Sequence, residues 1–191
     1  MKVIFDKKKA VNWFKKRTLK HITLVKKYTD LLVSSNKYQF ADMNLLGLGH
    51  DSTKYSPREY SAQVYLSYKY KLARDAGEPV ELEVKGISQS AMGEKVDLAT
   101  LHHIMANKHH PEYWAPKSSL SNFSRENPTA NIDGTRMPNK YIMEMVCDWC
   151  AVSEELNTNP YEWADNHIGT RWLFTEKQQK LIYTVLDIIW K

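Results

Sequence analysis

A histidine directly followed by an aspartate sets a neutral nitrogen donor beside a hard anionic oxygen donor. His50-Asp51, inside Gly49-His50-Asp51-Ser52-Thr53-Lys54, is such a pair. Imidazole and carboxylate together suit a divalent transition ion. One His-Asp dipeptide carries little information, because it arises by chance in many chains. Its weight comes from what else the chain offers: His21 upstream, His102-His103 and His109-His110 downstream, and Asp148 further on. Four of the seven histidines fall between positions 102 and 110, flanked by Tyr113 and Trp114. A solvated histidine cluster is the ordinary explanation of such a run. The aromatic flanks favour a role with a metal or a phosphate.

The elements that must position these residues read as helices. Leu24, Val25, Tyr28 and Leu32 repeat at helical spacing, which predicts a helix over residues 11–33. His21 precedes Leu24 by three and Val25 by four, so it lies on the inward stripe. A buried imidazole needs a partner, and for a lone histidine a backbone carbonyl would suffice. Residues 40–48 form a second apolar segment, read as helical, and Gly47 and Gly49 lead it into the His50-Asp51 corner. Ser56-Pro57-Arg58-Glu59 then has the form of a capping box, with Ser56 as N-cap and Glu59 closing it, opening a tyrosine-rich helix to about Arg74. His50, Asp51 and Lys54 thus precede a helix N-terminus, where the dipole favours an anion such as phosphate. An aspartate turn is the plainer alternative.

Residues 75–96 read as a polar connector in which Val80-Glu81-Leu82-Glu83-Val84 is a short exposed strand or a loop. A helix follows over 97–107. Residues 115–138 read as a long loop from which Lys117, Arg125 and Arg136 could reach an anionic substrate. Pro138 opens a helix with Tyr141, Met145, Asp148 and Val152 on one stripe, so Asp148 is expected to face inward. An unpaired carboxylate there would cost on the order of several kcal/mol. A metal shared with His21 and His50-Asp51 removes that cost; so would a basic partner. Cys147 and Cys150 are read as small buried residues beside Trp149 rather than as a zinc or redox pair. Asn159-Pro160 and Thr175-Glu176-Lys177-Gln178 start two last helices, the second carrying Ile182, Val185, Leu186 and Ile189 on one stripe.

Length and composition bound the class. A chain of 191 residues with 42% hydrophobic and 26% charged residues is expected to be one soluble domain over 1–191, with its core at about 11–155 and the C-terminal helices at 160–191 packed on it. No apolar run is long enough to span a bilayer and no signal-peptide pattern is seen, so no membrane partner is expected. Two cysteines do not make a disulfide framework, which points to the cytoplasm. The net charge of +5 is concentrated near the N-terminus, in Lys7-Lys8-Lys9, Lys15-Lys16-Arg17 and Lys26-Lys27. Such runs are usually solvated helix faces, and the sequence has no DNA- or RNA-binding motif.

The order His21, His50-Asp51, the later histidines and Asp148, on a mainly helical chain, resembles the HD-domain superfamily of metal-dependent phosphohydrolases. In that family an early helix carries the first histidine, the His-Asp pair follows a second helix, and a later helix supplies the last aspartate. Lys54 stands where some members carry a lysine after the pair. Met137-Pro138 and Val146-Cys147-Asp148 look like the last ligand helix. The stretches 48–56 and 144–150 are similar to a bacterial and phage family of this kind, which would place the protein in a host cytoplasm if phage-encoded. The Gly-Tyr-Pro signature of cyclic di-nucleotide phosphodiesterases is absent, and Ser52-Thr53-Lys54-Tyr55 stands where alarmone hydrolases place a Glu-Asp pair.

The resemblance implies an all-α, HD-domain-like helical bundle with long connecting loops. It implies a metal held by His21, His50, Asp51 and Asp148, with His103, His109 and His110 as candidates for a second site. The ion would be Mn, Fe, Co, Ni or Zn, in one or two copies. The activity would be hydrolysis of a nucleotide or a nucleotide-derived phosphate ester. Asp51, Lys54 and His103 would act in catalysis, and Lys54, Tyr55, Arg58 and Trp114 would bind substrate. The alternatives are a metal-dependent nuclease, with nucleic acid as the less favoured partner, and a non-catalytic nucleotide or second-messenger binder. A homo-oligomer is compatible with the apolar last helix.

Overall fold

The computed structural model describes residues 1–35, 47, 49–121, 123–127 and 129–191. Helix dominates, as expected of an all-α chain: six α-helices and four strands of two or three residues among the described residues. The chain divides into two compact units, each built from two stretches of sequence. The first comprises Met1–Leu19 and Ser52–His103, the second Lys20–Asp51 and Ile104–Lys191.

In the first unit, strand β1 (Lys2–Ile4) precedes helix α1 (Lys7–Ser34). Asp6 caps α1 by accepting the backbone N–H of Lys9 at 3.0 Å. Helix α2 (Tyr60–Ala76) follows, then strand β2 (Glu81–Glu83) and helix α3 (Gln89–Ala106). β1 and β2 pair in parallel, with Val3 opposite Leu82. The Val80–Val84 alternation is therefore a strand whose inward residue, Leu82, is fully buried. Phe14, Tyr65, Leu82, Met92, Val96 and Ala99 form the core of this unit.

Two expectations fail here for local reasons. The polar connector ends at Ser88, not at Val96: the Ser88 hydroxyl accepts from the N–H of Ala91, so α3 starts at Gln89. Met92, Val96 and Ala99 extend its apolar stripe forward. The capping box at Ser56 does not form. α2 begins at Tyr60, and the Glu59 carboxylate is drawn away to His102 and His103.

The second unit holds the end of α1, then strand β3 (Ile132–Asp133), helices α4 (Asn139–Leu156) and α5 (Pro160–His167), strand β4 (Trp172–Leu173) and helix α6 (Glu176–Ile189). β3 and β4 pair in parallel. α4 packs on α6 more extensively than on any other element. Ile142, Val146, Cys147, Cys150 and Ala151 on α4, and Ile182, Val185 and Leu186 on α6, are all fully buried. The predicted caps are present. Asn159 accepts from Tyr161 at the start of α5, and Thr175 with Gln178 completes a capping box on α6. The helix expected over 40–48 lies outside the described residues, apart from Gly47. That glycine sits against α1. A Cβ there would come within 2.9 Å of Thr29 Oγ1 and 3.4 Å of Lys26 Cα.

Candidate metal centre

His21 comes from α1, and His50-Asp51 from the turn that follows Gly49. Asp148 comes from α4. All four residues belong to the second unit. Asp51 adopts the left-handed conformation, φ 59°, which costs about 1–2 kcal/mol for most residues and less for aspartate. The turn brings a nearly buried carboxylate, 2% exposed, beside a nearly buried imidazole, also 2% exposed.

The donor atoms converge. His21 Nε2 lies 3.0 Å from Asp148 Oδ1 and 3.4 Å from Asp51 Oδ2. His50 Nε2 lies 3.3 Å from His21 Nε2, 3.5 Å from Asp148 Oδ1 and 3.7 Å from Asp51 Oδ2. Bonds of about 2.1 Å to one ion put neighbouring donors about 3.0 Å apart in octahedral and about 3.4 Å apart in tetrahedral geometry. The separations among His21, His50 and Asp148 are close to those of donors that share one metal ion. Histidine and carboxylate groups of this unit, buried His21 and His50 with half-buried Asp148 among them, could hold a metal ion. The Asp148 side chain is 17% exposed, so the cluster is not sealed from solvent.

The electrostatics agree with that grouping. Burial works against charging His50, but the Asp51 carboxylate and bonds with Asp148 and Glu144 raise its pKa to about 10. For His21, burial is again outweighed, here by Asp148 and Asp51, and the pKa is raised. Burial alone would lift Asp148, yet its bonds with His21 and His50 hold it well below the usual carboxylate range. A cation bound by these atoms has to displace the imidazole protons, so binding releases protons.

Glu144 stands behind His50. It is 4% exposed, and its Oε1 lies 3.1 Å from His50 Nδ1 and 3.6 Å from His109 Nδ1. His109 is 3% exposed, its ring centroid is 4.2 Å from that of His50, and its Nε2 lies 3.8 Å from Asp51 Oδ1. Burial, together with charge at His50 and His110, holds the His109 pKa well below the ordinary imidazole value. The half-buried His110 stacks beside it, with centroids 4.3 Å apart.

The remaining candidates fall as follows. In the first unit, His103 Nδ1 bonds Glu59 at 2.9 Å and His102 Nδ1 bonds the other Glu59 oxygen at 2.7 Å. Burial of Glu59 is outweighed by His103 and His102, and its pKa is lowered. Tyr55, 44% exposed, sets its ring 5.4 Å from Phe14; Lys54 is half-buried and Arg58 exposed. In the second unit, Trp114 donates its indole N–H to the Lys108 carbonyl and packs 5.5 Å from Tyr141. The Lys108 and Lys140 ammonium groups lie 5.6 and 5.0 Å from the Tyr141 centroid. From the long loop, Lys117 and Arg136 are exposed. Cys147 and Cys150 are fully buried free thiols, and burial pushes both thiol pKa values up.

Sequence reasoning missed Glu144 and Glu59. For Glu144 the signal was present: it precedes Asp148 by four residues and shares its face of α4. For Glu59 the capping reading concealed it.

Fold and cluster together define a mostly α-helical protein with a candidate centre of histidine and carboxylate ligands. Residues 10–188 match the family of unknown function DUF5662, and the chain belongs to that family. No curated protein and no solved structure matches the chain.

Proposed function

We propose that this chain is a metal-dependent phosphohydrolase of the HD type, acting on a nucleotide or a nucleotide-derived phosphate ester. The observation that carries the reading is the convergence of His21 Nε2, His50 Nε2, Asp51 Oδ2 and Asp148 Oδ1. These residues would hold one Mn, Fe, Co, Ni or Zn ion. Such an ion, when bound, supplies Lewis acidity and lowers the pKa of water toward neutrality. The chain's own residues do the rest. Asp51 directs Oδ2 to the convergent set and Oδ1 toward His109, so one carboxylate serves both. Buried His109 is a neutral imidazole able to accept or pass a proton at Nε2. Lys108 and Lys140 place two positive charges around Tyr141, one and two helical turns from Glu144 and Asp148 along α4 in the case of Lys140. That charge favours an anionic substrate.

A metal-dependent nuclease is the second reading. It would be favoured if the basic stretch from Lys7 to Lys27, with exposed Lys8, Lys9, Lys15, Lys16 and Lys20, lies beside the pocket, since such a face suits a phosphate backbone.

The test is release of phosphate or nucleoside from a nucleotide panel, with Mn²⁺, Co²⁺, Ni²⁺, Mg²⁺ or Zn²⁺ added to metal-stripped protein. Release is expected to require metal and to disappear in Asp51→Ala. Metal bound without release from any nucleotide, but with cleavage of an oligonucleotide, would favour the nuclease. No release and no bound metal would sink both.

A further inference from the structure

The centre contains a carboxylate that none of the four convergent atoms explains. Glu144 is buried on α4, one turn before Asp148. Its Oε1 meets the opposite edge of His50, at Nδ1, 3.1 Å away. An imidazole has two nitrogens, and the hydrogen bond made by one decides what the other can do. A ring that donates Nδ1–H to a carboxylate must present an unprotonated Nε2 to any cation it binds.

We propose that Glu144 is the positioning residue of the centre: its carboxylate accepts the Nδ1 proton of His50 and turns the Nε2 lone pair toward His21, Asp51 and Asp148. The inference rests on the reading that those four atoms hold a cation. Three observations carry it. The contact is at hydrogen-bond distance, and both partners are buried, His50 at 2% and Glu144 at 4% exposure. Residues 144 and 148 share one face of a rigid helix, so a single element delivers a ligand and the support of a second ligand. The third is the place of His109: its Nδ1 lies 3.6 Å from the same Oε1, and its ring lies against the His50 ring. Glu144 therefore braces the pair on the side away from Asp51.

The atoms His50, His109 and Glu144 also lie close enough to hold a cation of their own. His50 could not serve both sets through its two nitrogens without losing its last ring proton. The hydrogen-bonded arrangement keeps that proton and uses one nitrogen for each task.

Two readouts test the proposal on the full chain. Metal affinity is measured by optical titration with Co²⁺ and by Zn²⁺ competition, for wild type, Glu144→Gln and Glu144→Leu. Glu144→Leu is expected to weaken binding about 10- to 100-fold, and Glu144→Gln, which keeps an acceptor, to fall between it and wild type. The second readout is the imidazole N–H spectrum of histidine-labelled protein. A hydrogen-bonded Nδ1 proton, assigned through its loss in His50→Gln, is expected in wild type and absent in Glu144→Leu. A mere loss of packing would not remove that signal selectively. Equal affinity in all three proteins, or no such proton in wild type, would overturn the proposal. If Glu144→Leu does not fold, the isosteric Glu144→Gln decides: unchanged affinity and an unchanged Nδ1 signal overturn it. If wild type binds neither metal, the metal reading falls and this inference falls with it. If wild type binds metal but Glu144 is indifferent, only this inference falls.

Discussion

Glu154 shows on a small scale how a side chain here earns its place by what it meets. The Lys27 ammonium and the Tyr28 hydroxyl both donate to its Oε2 at 2.6 Å, tying α1 to the end of α4. Those two bonds lower the Glu154 pKa, against a smaller effect of burial. A carboxyl whose folded pKa lies below its unfolded value of about 4.5 stabilises the fold above that value, and this contribution is lost as pH falls through the folded pKa. The melting-temperature advantage of wild type over Glu154→Gln is therefore expected to be present at pH 6 and to shrink as pH is lowered through 4. An advantage that stays constant down to pH 3 would show that the charge is not what matters. The side chain is 37% exposed, so the effect will be modest. The same logic, in a drier setting, governs His21, His50, Asp51 and Asp148, where each group alone would be costly and opposite charges face one another.

At the scale of elements, Gly47 lies close against the helix that carries His21. A methyl group there would press on Thr29 Oγ1, and Thr29 is fully buried with its hydroxyl bonded to the Lys26 carbonyl. Neither atom can withdraw without disturbing the helix that carries His21. Gly47→Ala is expected to destabilise the protein by about 1–3 kcal/mol in denaturant unfolding, and to weaken metal binding in parallel. Unchanged stability would mean that the segment can stand off from α1 at no cost. α4 is the complementary element. It is buried over Tyr141–Cys147, so its packing against α6 leaves little freedom in where Glu144 and Asp148 point.

For the whole molecule, a ligand that binds only the folded chain stabilises it by mass action. At a hundred times its dissociation constant a divalent ion would add about 2.7 kcal/mol. Thermal melts of chelator-treated protein, with and without Mn²⁺ or Co²⁺, are expected to show this gain, and Asp148→Asn to abolish it. No shift with any of the transition ions would count against the metal centre directly, whatever the substrate. No helix among the described residues is long and apolar enough to cross a membrane.

Much of this protein was written in local patterns. The stripe of Val25, Tyr28 and Leu32 placed α1 and turned His21 inward, because helical periodicity is a short-range property. The caps at Asn159 and Thr175 were readable for the same reason. So were His50, Asp51 and Asp148 as candidate ligands, since donor chemistry is visible in residue type. Pairings between distant stretches were not. β1 finds β2 across some eighty residues, and nothing in Lys2–Ile4 announces it. Glu59 reads as a helix cap in the sequence, but in the fold its two oxygens meet His102 and His103 of α3. Glu144 had the right spacing to stand with Asp148, but only the tertiary structure set His50 Nδ1 in front of it. Residue types and periodicity determine which groups can do chemistry and which way a helix turns them. Which groups meet is decided by packing between segments far apart in the chain, where no local signal exists.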